Sequence, residues 1–101
     1  MYQIEKWLPS GTTAVGVLYI SNEYALLHLH VSIDNSNPKI EKIIPLEYAP
    51  KEPVRIRALW VLNQPNQYSV HEGYLNPDRS IAFGGNSTEG RHEVIALYSY
   101  R

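Results

Sequence analysis

Apolar and polar residues alternate along much of this chain with a period of two. The pattern is clearest from Tyr24 to Ile33. There Ala25, Leu27, Leu29, Val31 and Ile33 fall on one side, and Tyr24, Leu26, His28, His30 and Ser32 on the other. Successive strand side chains point to opposite faces, so this segment predicts a strand with one face in a core. Similar readings give strands at residues 12–20, 39–44, 54–62, 68–75, 81–83 and 92–100. Within 54–62, Val54, Ile56, Ala58, Trp60 and Leu62 share one face, and Arg55, Arg57, Leu59 and Val61 the other. Gly16 interrupts the run at 12–20, which marks a close backbone approach or a bulge.

Between these runs stand turn residues. Ser21, Asn22 and Glu23 make a short hairpin connection. DNSNP at 34–38, NQPNQ at 63–67 and NPDRS at 76–80 are turns. GGNSTEG at 84–90 is a loop tip. PLEYAPKEP at 45–53 holds three prolines in nine residues, too many for a strand or helix interior, and reads as a surface loop. MYQIEKWLPS at the start is weakly patterned and reads as an arm or linker, with room for a short strand. No stretch of helical length carries i, i+3, i+4 spacing free of Pro and Gly, so helix is limited to about one turn. The expectation is an all-β domain: a small antiparallel β-barrel or sandwich of six or seven strands.

Composition narrows the class. The chain has 101 residues, 44% hydrophobic and 19% charged, which fits one globular domain with a thin core. Partner subunits often supply the burial that such a core lacks. Nine Lys plus Arg against ten Asp plus Glu leave a net charge of −1, without the basic excess that phosphate neutralisation requires, so nucleic acid is not an expected partner. With no cysteine, disulfides and Cys-based zinc sites are excluded. No apolar run approaches the ~20 residues of a membrane span, and residues 1–10 lack a signal-peptide layout, so no membrane insertion is expected. Eight Tyr and two Trp stand against one Phe. Rings with a polar tip suit interfaces and sugar contacts, although strands collect Tyr for its β propensity alone.

Catalytic constellations do not assemble. Of the acidic residues, only Glu41, Glu72 and Glu93 fall on predicted strands, and no spacing pairs two of them as a glycosidase would need. There is no G-x-S-x-G and no phosphate-cradling loop between strand and helix. Asn86-Ser87-Thr88 matches a glycosylation sequon, which matters only in a eukaryotic secretory setting. His28 and His30 point the same way and both could meet one metal. Two ligands are too few, and a third would have to come from His71, His92, Glu72 or a symmetry mate. Neither metal nor other cofactor is expected. His71, Glu72 and Tyr74 on one strand, Asp78 and Arg79 in its turn, and Phe83, Arg91 and His92 around the Gly-rich tip supply ring, carboxylate, imidazole and guanidinium. Sugars bind such sets, with C–H faces on the ring and hydroxyls on the polar groups. The plainer alternative is that Phe83 is core, Arg91 solvated and the histidines incidental.

The order of segments also resembles a known family. TAVGVLYI and YALLHLHVSI form a strand pair. A third strand ending in I-P follows, then PLEYAPKEPV, RIRALWVL, a short hairpin to SIAFGG, and a last strand ending L-Y-S-Y. This is similar to the C-terminal head modules of receptor-binding proteins from the tails and baseplates of phages that infect Gram-positive bacteria, nearest the lactococcal siphophage heads. IPLEYAPKEP stands at a proline-bearing "LPEGYRP"-like loop, with Tyr48 and Pro50 in order and Glu47 where Gly is expected. The resemblance implies a head domain over 12–101, with 1–11 a neck remnant or linker. It implies a homotrimer, joined to other baseplate proteins through a preceding region, in the virion and acting extracellularly. The task would be non-catalytic recognition of a host cell-wall saccharide or phosphopolysaccharide. The family's binding set is a His on a late strand, an acid two residues on, an aromatic further along and a following Arg. His71 and Phe83 match. Gly73 stands where the acid is expected, so Glu72 or Asp78 would substitute, and Arg91 is the nearest Arg. The rivals are a carbohydrate-binding or immunoglobulin-like accessory module and a purely structural tail or capsid decoration domain.

Overall fold

The computed structural model describes residues 2–7, 13–33, 40–61, 68–83 and 90–101. Seven strands form one antiparallel sheet: β1 (Tyr2–Trp7), β2 (Thr13–Ile20), β3 (Tyr24–Ile33), β4 (Val54–Val61), β5 (Tyr68–Leu75), β6 (Ile81–Phe83) and β7 (Gly90–Ser99). Their order across the sheet is β1-β2-β3-β7-β4-β5-β6, and the sheet curls into a half-barrel. It is a single curled sheet, not two packed ones. Among the described residues there is no α-helix, only a 3-10 turn at Leu46–Tyr48. The last strand runs up the middle, between β3 and β4.

The concave face holds the core. Leu18, Leu27, Leu29, Val31, Ile56, Leu75 and Val94 are buried there. Burying each such side chain stabilises the fold by about 1.5–3 kcal/mol. Alternation is strict in β7, where His92, Val94, Ala96 and Tyr98 are buried and Arg91, Ile95, Leu97 and Ser99 are exposed. Residues 2–7 belong to the same sheet: β1 pairs with β2 from Tyr2–Leu18 to Trp7–Thr13, and Ile4 is buried. The prediction at Gly16 resolves to a close approach. The β2–β3 register is unbroken, and a Cβ on Gly16 would collide with the His28 carbonyl oxygen.

Over its described part, 40–44, the strand predicted at 39–44 does not form. Ile40 makes one isolated bridge with Ile81, and the chain then leaves the ladder. Lys42 has a φ of 54°, which turns the backbone out of the extended region. Ile40, Ile43 and Ile44 are all buried, a spacing that suits a folded-over segment plugging the concave face better than a strand. The proline-rich segment after it is fastened by aromatic residues of the C-terminus. The Tyr98 hydroxyl donates to the Tyr48 carbonyl at 2.8 Å, the Tyr100 hydroxyl donates to the Ser21 carbonyl, and the Tyr48 and Tyr100 rings meet edge to face at 5.2 Å. The predicted turns at 34–38 and 63–67, most of the tip at 84–90 and the Asn86 sequon lie outside the described residues.

Candidate functional site

The convex face carries the polar chemistry. On β4 and β5 the register sets Arg55 opposite Tyr74 and Arg57 opposite Glu72. Arg55 Nη2 donates to Glu72 Oε2 at 3.1 Å, and Arg57 Nε lies 3.6 Å from Glu72 Oε1. All three side chains are at least half exposed, so each ion pair contributes only about 0–1 kcal/mol and is free to exchange partners with a ligand. Beside them the Tyr74 ring is 47% exposed. Arg55, Glu72, Gly73, Tyr74, Ala82 and Phe83 line a shallow depression of about 370 Å³ at the β5–β6 edge. Gly73 allows β5 and β6 to close up there, because a Cβ would collide with the Ala82 carbonyl oxygen.

Of the residues predicted to bind a sugar, Glu72, Tyr74 and Phe83 border this depression, although the Phe83 ring itself stacks on His71 and His92. His71 points to the concave side of β5, as alternation requires, and its ring lies 6.1 Å from that of Phe83. There it joins His92, whose ring is 4.6 Å from Phe83 and whose Nε2 is 3.3 Å from His71 Nδ1. Burial, then the neighbouring His71, push His92 down to about 4, and burial lowers His71 as well. These rings form a stacked cluster under the sheet. Asp78 is spent in the β5–β6 turn. It accepts from the Ser80 hydroxyl at 2.6 Å and the Ser80 N–H at 2.9 Å, and those bonds hold its carboxyl below the usual range. Arg79, with a φ of 72°, donates to the Ile44 carbonyl. Arg91 is exposed on the convex face of β7, on the far side of β4 from the depression.

Two features escape sequence reasoning. Alternation places Arg55 and Arg57 on the outer face, but only the β4–β5 register reveals that they flank Glu72 and Tyr74. Likewise the third group beside His28 and His30 is Glu93. It sits opposite His30 on β7, and its Oε1 is 3.0 Å from His28 Nε2. His71 and His92 lie on the concave side, and Glu72 is three strands from β3. No protein-family model matches the chain, and no curated protein matches it.

Proposed function

We propose that this domain is a non-catalytic saccharide-binding module, a receptor-binding head of the lactococcal-siphophage type that recognises a host cell-wall polysaccharide. One observation carries the reading: an exposed tyrosine, a carboxylate and the Arg55 guanidinium share one shallow depression on the sheet, and Arg57 lies 3.6 Å from that carboxylate. A sugar's C–H face stacks on Tyr74, while Glu72 accepts from its hydroxyls and Arg55 and Arg57 donate. Arginines at this place suit a polymer that carries phosphate. A depression this open buries few atoms per sugar, so a single site is weak and several copies on one particle raise avidity.

Homotrimerisation is part of the proposal. Its support is a convex apolar patch in which Tyr19, Leu26 and Leu97 lie across from one another on β2, β3 and β7, with Ile95 next to Leu97. Leu97 is 67% exposed and Ile95 56%. Apolar patches of this kind mark protein contacts, and this one leaves the β5–β6 depression near its border. Backbone-amide shift mapping with cell-wall polysaccharide fragments from Gram-positive bacteria tests the site. Perturbations centred on Arg55, Glu72, Tyr74 and Ala82 are expected. Perturbations confined to β1 and β2 would refute it.

A further inference from the structure

We infer that His28, His30 and Glu93 bind one divalent transition-metal ion of the zinc class. His28 and His30 stand two residues apart on β3, so both imidazoles rise from the convex face. Their ring centroids are 5.1 Å apart. Glu93 faces them from β7. One donor atom from each of the three lies within 4.8 Å of the others. Two imidazole nitrogens and a carboxylate oxygen form the three-ligand set of a zinc site that keeps one position open. Magnesium and calcium prefer all-oxygen shells, so the imidazoles argue against them.

The geometry is close to what binding requires. A tetrahedral ion with bonds of about 2.0–2.2 Å holds its ligand atoms roughly 3.4 Å apart. The His28 and Glu93 atoms are already at 3.0 Å. The wider separations in the set, up to 4.8 Å, are those to His30, an exposed side chain with room to turn toward the other two. The backbone is fixed, because β3 and β7 are paired without interruption from Tyr24–Ser99 to Ile33–Gly90 in the middle of the sheet. Without metal, the hydrogen bond between His28 and Glu93 holds the carboxylate in place. His28 and Glu93 are 42% and 41% exposed, so the ion keeps contact with water at its fourth position. A hollow of about 260 Å³ bordered by Thr13, His30, Ser32, Arg91 and Glu93 provides that access.

The test is calorimetric titration of the chelator-treated, dialysed chain with Zn²⁺ alone, alongside Co²⁺ absorption spectra. One saturable site per chain is expected, with the visible bands of a four-coordinate Co²⁺ centre. His30→Ala and Glu93→Gln, both outer-face changes that leave the core intact, should each weaken Zn²⁺ binding by at least about tenfold. No saturable Zn²⁺ binding by the wild type overturns the inference. So does equal affinity in both variants while their circular dichroism matches that of the wild type.

Discussion

The Tyr98 hydroxyl reaches the Tyr48 carbonyl at 2.8 Å, and this bond ties the central strand β7 to the proline-rich segment. Tyr98 is 4% exposed, and burial pushes its hydroxyl up to about 12. Tyr98→Phe leaves a carbonyl short of its donor and should cost about 1–3 kcal/mol in urea unfolding at neutral pH. The pH dependence has a definite sign. Because the folded hydroxyl ionises less readily than the unfolded one, stability is complete below about pH 10 and falls as pH rises toward about 12. The phenylalanine variant should lose less over that window.

Acid acts through the concave histidine cluster. His92 is buried and depressed to about 4, so the unfolded chain takes up a proton that the folded chain refuses. Stability is complete above about pH 6.5 and is lost as pH falls toward 4, by about 3 kcal/mol at most. His92→Phe replaces the imidazole with an apolar ring beside Phe83 and should flatten the fall in melting temperature over that interval. His71 is lowered too and keeps part of the slope. A variant with the full wild-type slope would place the titration elsewhere.

Much of the fold was legible because alternation is a local property. The boundaries of β3, β5 and β6 match those read from the sequence, and the inward face of β3 follows from period two. The strand expected at 39–44 rests on β-branched composition, but isoleucines at 40, 43 and 44 do not alternate, and the positive φ at Lys42 lets all three reach the core. β1 was barely visible, since MYQIEKWLPS shows no sustained alternation even though Ile4 is buried. Insertion of β7 between β3 and β4 depends on pairing between distant residues, which no local pattern encodes. A shared strand groups His71, Glu72 and Tyr74 in the sequence, and the structure keeps Glu72 and Tyr74 together on one face and turns His71 to the other. The arginine neighbours of that pair and the Glu93 beside His28 were not legible there.

The convex apolar patch predicts self-association. Sedimentation equilibrium should show a trimer for the wild type. Leu97→Asp puts a charge in the middle of the patch and should weaken association by more than about tenfold, without loss of fold. A wild-type chain that stays monomeric at every concentration would rule out the trimer.

Calorimetry tests saccharide recognition at the β5–β6 depression. Wild type, Tyr74→Ala and Glu72→Gln are titrated with neutral and phosphate-bearing cell-wall polysaccharide fragments from Gram-positive bacteria. Saturable binding of at least one fragment by the wild type is expected, weakened about tenfold or more in each variant while the fold persists. A wild type that binds none of the fragments, or variants that bind as tightly as it does, would rule out saccharide recognition at this depression.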